Sequence, residues 1–437
     1  MPVLSEDEIF KIDTILAPTK VTNMTNFTLK AGSLTLLLSF FTLLAIPASA
    51  KAEGESINFR THDGVLLSGK FYPSAKPKDG ASIILLHDFT FRKGGDSSQD
   101  GWEKLALDLQ ATGQSVLSFD FRGHGKSVGV NPNFWLQPHN MVLPGAKMPN
   151  KPGKINSSEF TSAYYPNLVN DIAAAKSFLD IKNDDGEANS SNIIVIGAGE
   201  GATLGALWMA SEWRRLSCEA VERPQNTGIL NLKAPGPKKV DLKAMPSIDP
   251  EGSAQLAAIW LSISPTIAGK NYSTQIPLWL KDITMPRSRR VQMVFVTGTD
   301  EKTRDDFSVK MLKTIKPTFT RDKKEGEPKT KASANVDQKF SGEFKYKSKS
   351  VGSKLLEEAN DDIVKNYVTL MTKKGENTLR TFSRKKIEDA SYSWFFGPLD
   401  KTGNPTIPPT LMGFPAKFTY DQDRIQPLPV RFMGIVN

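Results

Sequence analysis

Histidine and cysteine, the residue types behind much metal binding and covalent catalysis, are scarce in this sequence. Its 437 residues contain one cysteine, Cys218, and four histidines, of which the last is His139. A single cysteine excludes an internal disulfide, and no two histidines have the spacing of a zinc site. We therefore expect neither a bound metal nor another cofactor. Any reaction that needs an imidazole must take it from the first third of the chain.

Acidic residues are outnumbered by basic ones, 47 against 56, which gives a formal net charge of +9. Much of the excess lies in residues 313–354, which hold 12 Lys or Arg and 5 Asp or Glu. Nucleic-acid binding requires such charge on a formed surface with aromatic or groove-reading partners, and this stretch is instead typical of a solvated loop. The composition therefore argues against a nucleic-acid partner. It is compatible with weak attraction to an anionic envelope surface.

The N-terminal region contains an uncharged stretch, residues 31–47, that is rich in Leu and Phe. Lys30 precedes it and Ala48-Ser49-Ala50 follows it, which is the arrangement of a secretory signal peptide with a small-x-small cleavage site. We therefore expect residues 1–50 to direct export to a bacterial periplasm or cell envelope, with translation starting at Met1 or Met24. Two alternatives stay open: an uncleaved membrane anchor through residues 31–47, which is short for a span, and a core helix.

The rest of the chain alternates between strand and helix patterns. Residues 56–72 predict a hairpin with its turn at 62–64. Continuous apolar runs predict strands buried on both faces, at 81–87, 115–121, 192–196, 254–263 and 291–297. Helical spacing predicts helices at 102–112, 168–179, 202–216 and 354–371. This alternation indicates an α/β fold, a mostly parallel sheet of about eight strands with flanking helices.

Three polar or proline-containing segments interrupt the alternation: 128–165, 219–252 and 318–340. The first also carries four aromatic residues: Phe134, Trp135, Tyr164 and Tyr165. Aromatic side chains in a loop form good contact surfaces, so this insertion is a candidate lid. We interpret residues 51–375 as one domain with these insertions. Residues 376–437 are then a proline-containing tail that packs on it.

Three short motifs follow predicted strands: His87-Asp88-Phe89, Asp120-Phe121-Arg122-Gly123-His124-Gly125-Lys126-Ser127 and Gly197-Ala198-Gly199-Glu200-Gly201. Their order resembles the α/β-hydrolase superfamily, in the branch of the serine aminopeptidases and monoacylglycerol lipases. The second is similar to the family's Asp-x-Arg-Gly-His-Gly-x-Ser turn. The third takes the place of Gly-x-Ser-x-Gly, where the nucleophile stands on a tight strand-to-helix turn. The resemblance implies the α/β-hydrolase fold over residues 56–312.

The resemblance also implies a Ser-His-Asp triad, which this sequence does not provide. Gly199 stands at the nucleophile position and has no side chain. Asp300 stands at the acid position, with Asp305 and Asp306 as alternates, but no histidine follows the acid as the family order requires. Without nucleophile and base, the remaining rate enhancement is roughly 10³–10⁴ over water. We therefore predict a degenerate triad and a pseudoenzyme.

The implied oxyanion hole departs from the family as well. Phe89 and Glu200 stand where the family places its two N–H donors, and Asp88 replaces the glycine of the family's His-Gly corner. The Glu200 side chain has two open orientations: outward, where its charge suits a helix N-terminus and which we favour, or inward, where it would repel an anion. The implied binding cleft is lined by His87, Asp88, Phe89, Gly199, Glu200 and Asp300.

Two rival interpretations are weaker. Residues 197–202 also fit a dinucleotide fingerprint, Gly-x-Gly-x-x-Ala, but residues 217–224 offer no second strand to hold a ribose. A displaced hydrolase site would use His139 as base and one of three serines as nucleophile: Ser118, Ser127 or Ser264. No spacing argument brings these together. We expect His87 and His124 to make structural hydrogen bonds.

The function that the sequence favours is therefore an exported, catalytically inactive protein that binds an unknown small molecule or an envelope protein in the remnant cleft. The alternative is a serine-type hydrolase of ester, amide or lipid substrates with a displaced or unconventional site. We expect membrane contact only through the signal peptide or an uncleaved anchor.

Overall fold

The computed structural model describes residues 54–61, 63–92, 94–137, 139–214, 218–222, 240–244, 251–284, 291–320, 341–373, 390–392 and 418–420. The predicted signal peptide, residues 321–340 and most of the predicted tail 376–437 lie outside these ranges. Within them, no helix is both long enough and apolar enough to cross a bilayer.

A nine-stranded sheet forms the centre of the described fold. Its strands are β1 (Glu55–Arg60), β2 (Val65–Tyr72), β3 (Ser82–Leu86), β4 (Ser115–Phe119), β5 (Gly129–Val130), β6 (Ile193–Ala198), β9 (Gln255–Leu261), β12 (Gln292–Gly298) and β13 (Gly342–Tyr346). Two-stranded pairs outside it are β7 (Cys218–Glu222) with β8 (Val240–Ala244), β10 (Thr266–Ile267) with β11 (Lys270–Asn271), and β14 (Ala390–Tyr392) with β15 (Phe418–Tyr420).

The strand order across the sheet is β1-β2-β4-β3-β6-β9-β12-β13, with β5 beside β2. Strand β2 is antiparallel to β1 and β4, whereas all strands from β4 to β13 run parallel. The carboxyl ends of six strands therefore meet at one edge of the sheet. In open α/β sheets this edge, outside the strand ends, is where ligands bind.

Helices cover both faces of the sheet because its central strands are apolar on both sides. They are α1 (Trp102–Ala111), α2 (Val169–Asp184), α3 (Gly199–Arg214), α4 (Ile276–Thr284), α5 (Lys302–Ile315), α6 (Leu356–Asp361) and α7 (Thr369–Met371). On β3, Ile84 and Leu86 join a core with α2 to α5, while Ile83 and Leu85 join a second core with α1, α6 and α7. This alternation follows from the period of two along a strand.

The predicted strands and hairpin form with small shifts of their ends, and α2 extends five residues beyond its predicted end. The single helix predicted at 354–371 is composite: a 3₁₀ turn at Gly352–Leu355 precedes α6, and a π-helical stretch, Asp362–Val368, joins α6 to α7. The prediction that no strand follows the fingerprint was wrong. Strand β7 lies there, but it pairs antiparallel with β8 outside the main sheet, so it is not the parallel strand that a dinucleotide fold requires.

The insertion 128–165 is folded against the sheet through β5, which pairs with β2. Its aromatic side chains are not a contact surface, contrary to our expectation. All four that we named are at most 4% exposed: Phe134, Trp135, Tyr164 and Tyr165. They are buried because the insertion contributes its own side chains to the larger core.

Candidate functional site

The turn between β6 and α3 brings the first and third motifs together. Gly199 has a backbone φ of +51°, a left-handed conformation that side chains disfavour. A Cβ on Gly201 would overlap the carbonyl oxygen of His87, so the glycine allows a close approach of the two chains. Because β3 and β6 are parallel neighbours, residues 87–89 and 199–200 meet just beyond their carboxyl ends.

The Asp88 side chain occupies the implied oxyanion hole. Its Oδ1 accepts hydrogen bonds from the backbone N–H of Phe89 at 2.8 Å and of Glu200 at 3.1 Å. These are the two donors that the family resemblance assigns to the oxyanion. The geometry therefore places a carboxylate of the chain itself where a hydrolase of this fold would bind the charged oxygen of its reaction intermediate.

Two glycines leave the space that this carboxylate fills. A Cβ on Gly199 or on Gly352 would overlap the Asp88 carboxyl group. Gly352 follows β13 and also has a left-handed backbone, with φ of +59°. The side chain of Asp88 thus takes the volume into which a nucleophile at residue 199 would project.

The electrostatics of the cleft disfavour ionised carboxylates. Burial raises the pKa of the Asp88 carboxyl, and the two N–H donors and the charge of Arg304 oppose this effect. Burial also raises the pKa of Glu200, opposed by the N–H of Ala268, the Thr266 hydroxyl and Arg304, and reinforced by Asp88. Both groups therefore hold a proton to higher pH than they would in water.

The orientation that we favoured for Glu200 was wrong. Its half-buried carboxylate turns neither to solvent nor into the oxyanion hole, but to the β10–β11 hairpin. There Oε2 accepts from the Ala268 N–H at 2.7 Å and Oε1 from the Thr266 hydroxyl at 3.1 Å. This contact fixes the hairpin beside the start of α3.

The candidate acids do not form a triad. Asp300 follows β12 as predicted, but its side chain is exposed, and its N–H donates to the Ser348 carbonyl at 3.0 Å. Asp305 is buried and accepts from the Thr297 hydroxyl at 2.8 Å, while Asp306 is exposed. None of these contacts supplies the imidazole that a triad requires.

His87 and His124 make the structural hydrogen bonds that we expected. His87 Nε2 accepts from the Phe121 N–H at 3.1 Å, so Nδ1 carries the proton and donates to the Asp88 carbonyl at 2.7 Å. His124 Nδ1 lies 2.9 Å from the Arg122 carbonyl. Burial, and next the charge of His87, lower the pKa of His124 to about 4, and burial lowers that of His87. Both rings are neutral near pH 7.

His139 belongs to a buried ionic cluster instead of the cleft. Its Nε2 lies 2.8 Å from Asp63 Oδ2, and Asp63 also accepts from Arg122 and Asn140. Arg122 bonds in turn to Asp171. Burial lowers the pKa of Arg122, and the two carboxylates more than reverse this effect. The cluster ties the insertion to β2, the Gly-His-Gly turn and α2.

The three serines of the displaced-site interpretation are buried. Ser127 donates to the Asp120 carbonyl at 2.6 Å and accepts from the Ser68 N–H at 2.9 Å. Ser264 shares a hydrogen bond with the Thr266 hydroxyl at 3.0 Å, and Ser118 lies within β4. The described residues also contain no group of three or more His, Cys, Asp or Glu side chains able to hold a metal ion.

The sequence motifs pointed to the right turns but missed what fills the cleft. The sequence did contain an indication of this contact, because Asp88 stands where the family has glycine. Whether the Asp88 carboxylate reaches the two N–H groups depends on its side-chain rotamer, which the sequence does not specify. Gly352 and Arg304 have no counterpart in the family motifs, since they come from a loop and a helix that no motif marked.

Several solved structures are distantly similar to this chain. A Pyrococcus furiosus esterase is 13% identical, with a TM-score of 0.39 over 72% of this chain and 92% of that one. A dienelactone hydrolase from Anabaena variabilis is 11% identical, with a TM-score of 0.33 over 60% and 82%. A serine hydrolase without a lid from Xanthomonas campestris is 11% identical, with a TM-score of 0.31 over 59% and 77%. Protein-family models and curated proteins gave no match.

Three features define the α/β-hydrolase fold: the strand order, the one strand (β2) that runs antiparallel to its neighbours, and the tight turn between β6 and α3. The chain has this fold, with Gly199 at the β6–α3 turn and the Asp88 carboxylate bonded to the N–H groups of Phe89 and Glu200.

Proposed function

We propose that this chain is an exported α/β-hydrolase-fold protein that does not hydrolyse and instead binds a small ligand or protein partner at the remnant cleft. The observation that carries this proposal is the Asp88 carboxylate bonded to both oxyanion-hole N–H groups. A substrate oxyanion would have to displace that carboxylate. Gly199 offers no attacking atom, and the chain has no histidine after residue 139.

A half-buried arginine beside the cleft supports a binding role. Arg304 Nη1 is buried without a hydrogen-bond partner among the described residues, and its charge acts on both Asp88 and Glu200. A buried donor left unpaired costs about 1–3 kcal/mol, so an incoming acceptor group would be favoured. A ligand with an acceptor for Arg304 and a donor or cation for the nearby carboxylates matches this arrangement.

The loss of hydrolysis is tested with the purified protein, a fluorophosphonate probe and p-nitrophenyl esters. We expect no labelled serine and no ester turnover above the uncatalysed rate. The variant Gly199→Ser is expected to stay inert, because a serine without an adjacent base is a weak nucleophile. Stoichiometric labelling of any serine in the natural chain would overturn the proposal and establish the hydrolase alternative.

The binding role is tested by native mass spectrometry of protein purified from its own cell envelope. We expect a non-covalent adduct on the natural chain that is lost in Arg304→Ala. Arg92→Ala is the matched control, because Arg92 is exposed and stacks at 5.0 Å on Phe91. An adduct that survives Arg304→Ala, or its absence from the natural chain, would contradict a ligand at this cleft.

A further inference from the structure

Exposed apolar side chains are concentrated in one part of the insertion. Of the eight large hydrophobic side chains exposed among the described residues, four lie within the thirteen residues 136–148. Their exposed fractions are 68% for Leu136, 53% for Met141, 58% for Val142 and 49% for Met148. Single exposed hydrophobic residues are common on protein surfaces, whereas a concentration of them marks an interaction site.

These side chains stand on a tightly folded support. Trp135 is buried below them, and its Nε1 donates to the Pro152 carbonyl at 2.9 Å. A Cβ on Gly145 would overlap the Trp135 ring, so the backbone packs directly against the indole. Successive turns hold the segment between, with Met141 N–H donating to Gln137 at 3.2 Å and Leu143 N–H to Asn140 at 3.1 Å. Met141, Val142 and Met148 are therefore displayed by hydrogen-bonded turns.

The charge of the same segment has one sign. Residues 126–158 contain four lysines and no aspartate or glutamate. All four lysines are exposed: Lys126, Lys147, Lys151 and Lys154. Three of them, Lys147, Lys151 and Lys154, lie within six residues of Met148, so exposed cationic and apolar side chains occur on the same stretch of chain.

Apolar side chains beside lysines complement an anionic lipid surface. The apolar groups enter the boundary between headgroups and acyl chains, and the lysines remain at the lipid phosphates. An acidic protein partner would also match the lysines, but the exposed apolar residues stand in and between short 3₁₀ turns, and apolar side chains on turns can enter a lipid surface without a preformed complementary pocket. The combination of projecting apolar residues and unbalanced positive charge favours the membrane.

We propose that the insertion docks the protein on anionic phospholipid through a docking face formed by Leu136, Met141, Val142, Met148, Lys147, Lys151 and Lys154. The docking face binds peripherally and differs from the membrane contact through residues 31–47 that the sequence suggested. It goes beyond the proposed function, since it operates whether or not the cleft catalyses a reaction. A catalytic result in the probe assay would leave it intact.

A fluorophore at one position tests this proposal in the full chain. Val142→Cys is combined with Cys218→Ser and labelled with an environment-sensitive dye. The matched control carries the dye at Leu278→Cys, because Leu278 on α4 is equally exposed, at 58%. A position-specific dye is needed because the apolar residues 31–47 could bind lipid by themselves.

We expect a blue shift at position 142 with vesicles that contain phosphatidylglycerol, a much smaller one with phosphatidylcholine alone, and none at position 278. Added salt should weaken the response because it screens the lysines. The variant Lys147→Glu/Lys151→Glu/Lys154→Glu should raise the lipid concentration at half response at least tenfold. The matched triple variant Lys302→Glu/Lys310→Glu/Lys313→Glu on α5 should leave it unchanged.

Several results would overturn the docking face. These are no shift at position 142, an equal shift at position 278, an equal response to neutral lipid, or indifference to the lysine reversal. A shift with soluble envelope proteins and none with vesicles would assign the face to a protein partner, which also overturns the proposal. Circular dichroism of each variant establishes that it is folded.

Discussion

At the residue scale, the Asp88 carboxylate both accepts backbone hydrogen bonds and fills the space beside two glycines. It accepts hydrogen bonds from the N–H of Phe89, just after β3, and from the N–H of Glu200 in the first turn of α3, and the second contact suits the positive end of a helix dipole. The same carboxylate occupies the volume beside Gly199 and Gly352. Both roles therefore rest on the position of one side chain.

Gly199→Ser tests whether a side chain at residue 199 competes for space with the Asp88 carboxylate. We expect it to lower the free energy of unfolding by about 2 kcal/mol, through left-handed strain and overlap with Asp88. In an Asp88→Ala background the cost should be smaller by about 1 kcal/mol, a coupling typical of residues in contact. Chemical denaturation of the four proteins measures this cycle.

The control for this cycle is Gly186→Ser. Gly186 also has a left-handed backbone, with φ of +82°, but a Cβ there would meet no atom within 4 Å. It should carry the backbone cost and show no coupling to Asp88. Strict additivity of Gly199→Ser with Asp88→Ala would contradict the steric account.

Asp88→Asn tests the titration of the cleft. Since burial raises the pKa of Asp88, the folded chain keeps this proton to higher pH than the unfolded chain. The contribution of Asp88 to the free energy of unfolding therefore falls as pH rises from about 4 through the raised pKa. Asn does not titrate, so the variant should gain stability relative to the natural chain over this window.

Denaturation at a series of pH values measures this difference. Asp300→Asn, at an exposed position, is the control and should track the natural chain. A variant Asp88→Asn that loses stability relative to the natural chain as pH rises would mean that Asp88 is stabilised as the anion, contrary to the burial argument.

At the element scale, the insertion is held by charge as well as by apolar packing. Asp63 is fully buried and joins the turn before β2 to Arg122 and to residues 139 and 140 of the insertion. Buried ion pairs add little net stability when complete, but removing one partner leaves an uncompensated charge. The cluster is therefore a specific point at which the insertion can be loosened.

Asp63→Ala should lower the free energy of unfolding by about 3–5 kcal/mol and increase amide exchange most in residues 131–148. Hydrogen exchange with mass spectrometry localises the effect. Asp305→Ala removes another buried carboxylate, one that accepts from Thr297, and should leave exchange in the insertion unchanged. Uniform acceleration over the whole fold in Asp63→Ala would show that the cluster has no particular role for the insertion.

Sequence patterns predicted most of the elements that obey a simple period. They missed α4, although its buried residues recur at helical spacing, and the elements that have no clear period. Strands β3, β4, β6, β9 and β12 are continuous apolar runs, so their burial on both faces was evident. Helix α5 is rich in charge, and strand β13 has a mixed pattern at the sheet edge, so neither has a clear period. The π-helical stretch in residues 362–368 could not be predicted from the sequence, because its wider turn has no periodic signature of its own and it packs against β13 and α1.

At the scale of the whole molecule, the fold class followed from motif order, whereas the state of the cleft did not. The glycine at residue 199 and the lack of a histidine after residue 139 can be read from the order of residues along the chain. The position of the Asp88 carboxylate depends on one rotamer and on two glycines far apart in the chain, Gly199 and Gly352. A contact among three residues that are distant in the sequence produces no periodic pattern, so sequence analysis does not detect it.

Export is a further prediction for the whole chain. Protein isolated from the cell envelope should begin at Lys51, because Ala48 and Ala50 are small enough for the signal peptidase site. Intact mass and N-terminal sequencing check this start. Ala48→Glu/Ala50→Glu should block cleavage, and Ser49→Gln, at the tolerant middle position, should not. Recovery of the natural chain with residues 31–47 still attached would establish the anchor alternative.

The two glycines around Asp88 have a consequence for engineering. A serine introduced at residue 199 would overlap the aspartate, and removal of the aspartate alone would leave the N–H groups of Phe89 and Glu200 without this acceptor. A nucleophile at this turn therefore requires at least two coupled substitutions, and a designer who makes either one alone should expect a less stable protein.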